Sequence, residues 1–558
     1  MTLKHLKLVI THIFVTVFTI GLMIPNSQAA PPGGKQAKKG SPAAHEYTNV
    51  ILISLQCLRP DHLGAYGYKR KTSQNIDQLA SKSLLFENAI SQANLTPVAQ
   101  MSVMTSQYPR VNGMVSFEVD KDTVSNRTLP EILKMYGYQT AATVSSPEFF
   151  LRYDTSSGDM VNPGDVFSRS FDEFIRTKKG PGGPSVRKIP TESFQWLRDN
   201  QNKKFFLWIA SGVIHMPYAA TVPQPYKSMY DTPGYVPFWK RLPLSGWEQA
   251  ASPDPDYDVF SRVHDNTFYW NFQPAHQLTS SDVDYVNSRY DAGVFYTDQY
   301  IGELLKLLDA LKLTEKTLIV LQSIHGEELG EKGNFFHYDV TETVVKNALI
   351  FRFPGRKYAW KRVKEQMQGI DIMPTILDYL QIPIPHEAQG HSILPLVKEE
   401  PDAFRNTYAF IDRLPWWEFT LDKWYLEFKA NQGALFSAAE EEKLPEYRRL
   451  LHDSFTELAY PPGDIAIRTN DWKLIVRKNP GLLAKVSWWD FISGQTHATE
   501  ARELYDLKND PLEKVNVIEK YPEMAANLMD KLQAWDEATE KQKAGYRPNE
   551  KKLVIPYP

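Results

Sequence analysis

The chain has 558 residues, of which 42% are hydrophobic, so it can bury a large core and form more than one domain. Its formal net charge of −3 excludes the concentrated basic excess with which proteins bind nucleic acid or an anionic membrane surface. The sequence holds one cysteine, Cys57, which excludes an internal disulfide, so the fold must be stabilised by its core.

The first thirty residues have the pattern of an export signal. Lys4 and Lys7 precede an apolar run over residues 8–24, and a small-x-small cleavage pattern ends at Ala29. An uncleaved anchor is the alternative, but His12 and several threonines make the run a poor lipid-spanning helix. We therefore expect a periplasmic or secreted protein with no stable membrane span after signal cleavage.

Composition divides the chain into four predicted parts. Residues 1–29 form the signal peptide, and residues 30–45, rich in proline, glycine and lysine, form a flexible linker. Residues 46–400 form an α/β domain with an insert at about 226–272, and residues 401–558 form a C-terminal subdomain with a second insert. Both inserts are rich in aromatic residues, which could stack on sugar rings or, as we favour, pack onto the body of the protein.

Three short apolar runs predict strands buried on both faces of a parallel sheet. They cover residues 49–54, 205–209 and 317–321, and a plausible helix precedes each of the last two runs. The helix before the third run has an apolar stripe made of Val294, Ile301, Leu304, Leu305 and Leu308. This alternation predicts an α/β fold, with a mostly parallel sheet sandwiched by helices.

Beyond about residue 400 the pattern changes. Residues 465–475 predict two strands around a polar turn, which is typical of an antiparallel pair. A closing amphipathic helix follows Pro522, and its apolar positions are Met524, Leu528, Leu532 and Trp535. We predict a smaller C-terminal α+β unit with an antiparallel sheet.

Polar side chains follow each of the three predicted strands, where an open α/β sheet gathers its chemistry. These strand-end segments are residues 56–62, 214–218 and 323–330, and each contains at least one histidine. We expect them to line one cleft at the carboxyl edge of the sheet.

In their order along the chain, these segments and several others resemble the sulfatase family of the alkaline-phosphatase superfamily. The matching motifs are Tyr66–Tyr68, Asn75–Asp77, Ser102–Pro109, Leu129–Glu131, His215–Tyr218, His325–Gly330, Gln389–Ser392, Arg468–Leu474 and Glu503–Leu507. The resemblance implies an alkaline-phosphatase-like fold and the hydrolysis of a sulfate ester. In that chemistry a divalent cation such as calcium neutralises the ester oxygens, and a side-chain nucleophile attacks sulfur.

Two positions that hold the cation in the family are changed here. Gln56 occupies the place of an aspartate after the first strand, and Ile324 replaces an acidic ligand before His325, which keeps a ligand position. Two carboxylates beside a divalent ion would each supply on the order of 13 kcal/mol of gross attraction at an effective dielectric constant near 20. The sequence therefore argues against a calcium site of the family's kind.

The nucleophile segment is changed as well. Thr96 stands where the family has the cysteine that matures to formylglycine, and Gln100 replaces the arginine of the maturation signal. Thr96 is then the candidate nucleophile, without an evident activator in the sequence. By resemblance, His215 and His337 are candidate catalytic groups, and Gln100 and His215 are candidate substrate-binding groups.

Substitute metal ligands are available in the same segments. Asp61 and His62 could serve, although the family commonly carries this pair beside its site, so a structural role is favoured. A thiol and two imidazoles from Cys57, His325 and His337 would suit zinc by ligand softness. The spacing of these three residues does not show that they converge.

Three functional hypotheses follow. The first is a catalytically impaired or inactive sulfatase-like protein that binds a sulfated or phosphorylated small molecule or glycan. The second is a divergent metal-dependent sulfate or phosphate ester hydrolase that uses Thr96 as its nucleophile. The third is a non-catalytic structural component of the cell envelope.

Overall fold

The computed structural model describes residues 47–114, 127–145, 152–154, 159–161, 167–177, 189–216, 218–219, 221–236, 279–333, 335–337, 339–398, 407–413, 464–477 and 501–544. The predicted signal peptide and linker lie outside these ranges, as do most residues of both aromatic-rich inserts. Within the described ranges, no helix is long and apolar enough to cross a membrane. The four-part division of the chain stays a prediction.

Sixteen strands are present in the described ranges. In chain order they are β1 (Asn49–Leu55), β2 (Leu84–Ile90), β3 (Gln139–Val144), β4 (Arg152–Asp154), β5 (Asp159–Val161), β6 (Glu173–Arg176), β7 (Phe205–Ser211), β8 (Thr317–Ser323), β9 (Glu328–Leu329), β10 (Phe335–Phe336), β11 (Lys346–Arg352), β12 (Lys361–Gln368), β13 (Ala409–Asp412), β14 (Ile465–Arg468), β15 (Trp472–Arg477) and β16 (Ala501–Asp506).

The helices of the described ranges lie mostly between these strands. They are α1 (Gln74–Ala80), α2 (Thr96–Thr105), α3 (Pro109–Asn112), α4 (Leu129–Met135), α5 (Glu192–Asn200), α6 (Ser280–Ala310), α7 (Glu342–Val345), α8 (Ile372–Tyr379), α9 (Leu394–Val397) and α10 (Pro522–Ala544). A capping box at Thr279 and Asp282 satisfies backbone amides at the start of α6. Four of the five apolar positions predicted to form its stripe are fully buried, namely Val294, Ile301, Leu304 and Leu308, and Leu305 is half-buried.

Eight strands form the central sheet, in the order β12-β2-β11-β8-β1-β7-β3-β6. The three predicted strands lie side by side at its centre, because β1 pairs in parallel with both β7 and β8. One strand, β11, runs antiparallel to both of its neighbours. The prediction of a mostly parallel sheet in an α/β fold is confirmed.

Side chains of β1 alternate between the two faces of the sheet. Val50 and Leu52 join one buried cluster, which includes residues of α2 and α8, whereas Ile51 and Ile53 join another, which includes residues of α6. A strand covered on both faces by helices has apolar residues at consecutive positions. This double burial explains why the run over residues 49–54 lacks the polar alternation of a half-exposed strand.

The C-terminal part forms a second sheet, antiparallel throughout, in the order β13-β14-β15-β16. β14 and β15 are the two strands predicted around a polar turn. Helix α10 packs against this sheet, with Leu528, Leu532 and Trp535 buried and Met524 half-buried. The predicted C-terminal α+β unit with an antiparallel sheet is confirmed.

A set of buried ion pairs joins this second sheet to the segment between β10 and β11. We call it the charge-paired interface, and its members are Asp339, Glu342, Arg468, Lys473 and Arg477. Two nitrogens of Arg468 each donate to one oxygen of Glu342 at 2.9 Å. Arg477 Nη2 donates to Asp339 Oδ2 at 3.1 Å, and Lys473 Nζ lies 3.3 Å from Glu342 Oε1.

The charges of the interface hold its carboxylates ionised. Burial by itself raises the pKa of Glu342, but the adjacent Arg468 and Lys473 outweigh it and lower the pKa to about 2. Burial also raises the pKa of Asp339, but Arg477 outweighs it and holds the pKa well below its usual range.

Candidate functional site

The ends of β1 and β8 meet at one edge of the sheet. Leu55 and Ser323 are paired, so the residues that follow them begin side by side. The Ile324 amide donates to the carbonyl of Leu55 at 2.9 Å, and the Gln56 amide donates to that of Ser211 at 3.0 Å. The predicted meeting of strand-end segments is therefore set by backbone hydrogen bonds.

Beyond these ends, four side chains with metal-ligating atoms converge. We call them the strand-end cluster: Cys57, His325, Glu327 and His337, whose ligand atoms all lie within 4.8 Å of one another. His337 is 4% exposed and the other three are 0% exposed. The three residues considered as zinc ligands from the sequence thus come together, and they are joined by a carboxylate that sequence reasoning missed.

Cys57 leaves the sheet through a left-handed turn with φ of 57°. Tyr290 from α6 donates its hydroxyl proton to the Cys57 carbonyl at 2.6 Å, which holds this turn against the helix. Cys57 Sγ lies 3.9 Å from His337 Nδ1, although the two residues are 280 positions apart in the chain.

Glu327 is the buried carboxylate of the cluster. Its Oε1 accepts a hydrogen bond from the Tyr218 hydroxyl at 2.6 Å, and its Oε2 lies 2.8 Å from His337 Nδ1. Burial by itself raises the pKa of Glu327, but the charge and hydrogen bond of His337 outweigh it and lower the pKa to about 2. Glu327 is therefore an anion at neutral pH.

Thr96, the candidate nucleophile, is the first residue of α2, and its Oγ1 lies 2.8 Å from His325 Nε2. His325 Nδ1 lies 2.9 Å from the Gly326 carbonyl, which can only accept, so Nδ1 carries the proton. The Thr96 hydroxyl therefore donates to Nε2. Burial, with His337 adding to it, lowers the pKa of His325 to about 3.

His215 completes a group of three imidazoles at the strand ends. Its ring centroid lies 5.1 Å from that of His337, which is 4.4 Å from that of His325. Nδ1 of His215 donates to the Met216 carbonyl at 2.7 Å, which leaves Nε2 as the ring's acceptor when the imidazole is neutral. The structure thus brings all three predicted histidines together.

Other residues singled out from the sequence occupy different surroundings. Gln100 is buried on α2, where its Oε1 accepts from Gln322 Nε2 at 3.1 Å and its Nε2 has no hydrogen-bond partner among the described residues. Gln56 is fully buried, and Ile324 belongs to the hydrophobic cluster on one face of the sheet.

Asp61 and His62 have partners outside the strand-end cluster. Asp61 pairs with Arg59 at 2.7 Å, and His62 Nδ1 lies 2.6 Å from Asp291 Oδ1. The contact of His62 ties the loop after β1 to α6, whereas the pair of Asp61 with Arg59 lies within that loop.

The donor atoms of this site do not fit calcium. Calcium takes about 6 to 8 oxygen ligands, several of them carboxylates. The strand-end cluster offers a thiol, two imidazoles and the one carboxylate of Glu327, and the two family positions beside it are the amide Gln56 and the alkyl Ile324. The sulfur and nitrogen atoms of this set are softer ligands than the oxygen atoms that calcium binds.

The double-sided α/β sheet, the residues at its strand ends and the second antiparallel sheet define an alkaline-phosphatase-like protein. A family model described as Sulfatase matches residues 48–382, which is more than half of the chain. The protein belongs to the sulfatase family.

Several sulfatases are similar to this chain in sequence. Human iduronate 2-sulfatase is 28% identical over 357 residues, and the match covers 57% of this chain but only 62% of that protein. Human arylsulfatase K is 25% identical, with 73% of this chain and 67% of that protein covered. N-acetylglucosamine-6-O-sulfatase from Bacteroides thetaiotaomicron is 23% identical, with 91% and 88% covered.

Solved structures show the same fold. A protein in complex with its substrate D-glucosamine-2-N,6-O-disulfate superimposes with a TM-score of 0.59 at 19% identity, covering 91% of this chain and 100% of the other. The phosphonate monoester hydrolase of Agrobacterium radiobacter superimposes with a TM-score of 0.56 at 19% identity, covering 88% and 96%. At these identities the likeness establishes the fold alone.

Proposed function

We propose that this protein is an exported member of the sulfatase family that binds a sulfated or phosphorylated ligand at the strand ends. It does not hydrolyse sulfate esters by the calcium and formylglycine chemistry of the family. The observation that carries the proposal is Ile324, because an alkyl side chain packed in the core occupies a position where the family has an anionic ligand.

The other changes act in the same direction. The neutral Gln56 replaces a second anion, and Thr96 cannot be converted to formylglycine, which is made from cysteine. A cation held by the family's ligands would thus lose both of these charges, and the nucleophile would lack its reactive group. Sulfate ester hydrolysis by that route has neither of its two main components here.

The remaining side chains suit an oxyanion ligand. The group of three imidazoles includes His215, the most exposed of them at 8%, and its Nε2 donates to an anionic oxygen when the ring is protonated. Gln100 lies one helical turn after Thr96 and offers its Nε2 as a further donor. One relative is named as an N-acetylglucosamine-6-O-sulfatase, which supports a sulfated ligand.

Export rests on the sequence pattern of the first thirty residues. The charged start, the apolar run over residues 8–24 and the small residues before position 30 favour cleavage of a signal peptide. N-terminal sequencing of the mature protein tests this, and we expect a new N-terminus close to residue 30. A mature chain that still begins at Met1 would contradict it.

Calorimetry with sulfated and phosphorylated amino sugars tests ligand binding. We expect His215→Ala to weaken binding by at least about tenfold, since one charged or polar contact contributes about 1.5 to 3 kcal/mol. His386→Ala is the matched control, because His386 is 64% exposed and lies beside Glu387 on the surface. Turnover of an aryl sulfate in calcium by the wild-type protein would overturn the proposal, and absence of any ligand would favour a structural role in the envelope.

A second candidate function is supported by the hydrogen bond between Thr96 and His325. A hydroxyl that donates to a neutral imidazole is the arrangement of a nucleophile with its base. A divergent hydrolase of this kind would release phosphate or sulfate in a metal-dependent reaction that Thr96→Ala abolishes. Thr105→Ala, which removes a buried hydroxyl from the same helix, is the control. Absence of release from both ester classes with any divalent ion would exclude it.

A further inference from the structure

The strand-end cluster unites four side chains that bind transition metals, and its composition differs from the oxygen-rich site expected of the family. We propose that Cys57, His325, Glu327 and His337 bind a zinc ion. This inference goes beyond the proposed function, because the ion would be held whether or not the protein binds an anionic ligand.

The donor types and their charges favour zinc. Zinc binds thiolate sulfur, imidazole nitrogen and carboxylate oxygen, and its protein sites are tetrahedral with four ligands when they serve structure. A thiolate from Cys57 and the carboxylate of Glu327 carry two negative charges, which a divalent ion neutralises. The complex would then be neutral, as a site in which three of four ligands are fully buried requires.

Two distances within the cluster are close to those of a zinc coordination sphere. His337 Nδ1 lies 3.9 Å from Cys57 Sγ and 2.8 Å from Glu327 Oε2. Tetrahedral bonds of about 2.3 Å to sulfur and about 2.0 Å to nitrogen and oxygen would separate these atoms by about 3.5 Å and about 3.3 Å. These two pairs would need shifts of roughly half an ångström. The most distant ligand atoms of the cluster, which lie within 4.8 Å of each other, would need to approach by about an ångström or more, which side-chain rotation can supply.

Hydrogen bonds around the cluster fix the orientation of its ligands. His325 donates from Nδ1 to the Gly326 carbonyl, which leaves Nε2 as its ligating atom. Tyr218 holds the second oxygen of Glu327 at 2.6 Å. A ligating histidine that donates its other ring proton to a carbonyl is the usual arrangement in zinc sites. Nε2 would exchange its hydrogen bond from Thr96 for the metal.

The ion would link distant parts of the chain. Cys57 follows β1, whereas the other three ligands lie on the segment that contains β9 and β10, and His337 is 280 positions from Cys57. Four protein ligands leave no open position for a substrate, so the site is structural in type. Its function would be to fix His325 and His337 beside His215, the imidazole of the group that is not a ligand of the ion.

Metal analysis of the full chain, purified without a histidine tag, tests the site. After chelation and dialysis against zinc, we expect about one zinc ion per chain, bound in preference to calcium. Cobalt replacement should give the absorption of a cobalt–thiolate bond. Metal content is measured without any sugar ligand, so absence of zinc would not decide whether the protein binds a sugar. Absence of sugar binding in calorimetry would likewise not decide whether it binds zinc.

Two variants distinguish the cluster from adventitious binding at surface histidines. Cys57→Ser should lower zinc affinity by more than about 100-fold and abolish the cobalt–thiolate absorption, since loss of an outer partner alone costs about 10- to 100-fold. Tyr218→Phe, which keeps all four ligands, should lower affinity by about 10-fold or more. His386→Ala should leave affinity unchanged. Wild-type affinity in Cys57→Ser, or no stoichiometric zinc in the wild-type chain, would overturn the proposal.

Discussion

The strand-end cluster and the charge-paired interface both take residues from the stretch between β8 and β11, yet their buried carboxylates have different partners. Glu327 in the cluster is surrounded by imidazoles, a thiol and the Tyr218 hydroxyl. Glu342 in the interface accepts two hydrogen bonds from Arg468 and lies beside Lys473. Only the interface has guanidinium and ammonium groups, which stay charged at any physiological pH.

This difference indicates what each region needs in order to be stable. The interface carries its own counter-charges, so it is complete once the two sheets are together. The cluster has only groups whose charge depends on proton or metal binding. The first region should therefore respond to loss of an arginine, and the second to loss of an ion.

Removal of Arg477 should have the largest effect. This side chain pairs with Asp339, Asp464 and Glu503, so Arg477→Met leaves buried carboxylates without their partner. Breaking a buried pair in this way costs about 3–5 kcal/mol. We expect a loss of that size in the free energy of unfolding measured by urea denaturation.

The surface pair of Arg362 with Glu87 is the matched control, because the Arg362 side chain is half-exposed. Arg362→Ala should cost no more than about 1 kcal/mol. If the two variants were equally stable, the interface would not contribute the stability that its burial implies.

Zinc binding at the strand-end cluster should change the free energy of unfolding by an intermediate amount. Zinc at about 100 times its dissociation constant would raise the free energy of unfolding by about 2.7 kcal/mol, because the unfolded chain does not hold the four ligands together. Thermal unfolding with and without chelator measures this change. Arg362→Ala should keep the full zinc response and Cys57→Ser should lose it, whereas an equal response in both would place the metal elsewhere.

Acidification should change the free energy of unfolding less than loss of Arg477 or binding of zinc does. Glu342 has its pKa lowered from 4.5 to about 2, so its contribution to stability is present above the unfolded value and is lost as the pH falls toward 2. From pH 7 to pH 3.5 this group alone should account for a loss on the order of 1 kcal/mol in the free energy of unfolding. The groups facing it are Arg468, Lys473, Lys346 and Glu513.

Glu513 opposes this trend, because burial raises its pKa. In the folded protein Glu513 binds a proton more readily than in the unfolded chain, so this residue adds stability as the pH falls. Glu513→Gln removes that contribution and should steepen the loss of stability between pH 7 and pH 3.5. Unfolding free energies at four or five pH values would reveal this change. If Glu342→Gln left the dependence of the unfolding free energy on pH unchanged, Glu342 would not be the group responsible for the loss of stability in acid.

Much of the fold could be predicted from the sequence, because its central strands are local patterns. The apolar runs of β1, β7 and β8 indicated burial on both faces, and parallel strands bring their carboxyl ends to one edge. The direction of β11 could not be predicted in this way. A buried apolar strand has the same composition in either direction, and its partners β2 and β8 are distant in sequence.

The candidate site was predictable only in part, for a similar reason. Cys57 and His325 follow strands directly, so their proximity follows from the sheet. Glu327 lies in an irregular turn, where no periodicity gives the direction of a side chain. His337 was indicated by the family resemblance and not by local pattern, because it reaches the cluster through β9 and β10, whose two-residue strands are too short to leave a pattern.

The charge-paired interface also sets an order for the maturation of the protein. Arg477 is synthesised 138 positions after Asp339, so the growing chain carries these carboxylates in water until the second sheet exists. The segment that contains His337 continues into Asp339 and Glu342, whose arginine partners lie on the second sheet. We therefore expect completion of the strand-end cluster to be a late step, reached after nearly the whole chain has been made, and a truncated chain that ends before β15 to bind the proposed zinc ion more weakly than the full chain.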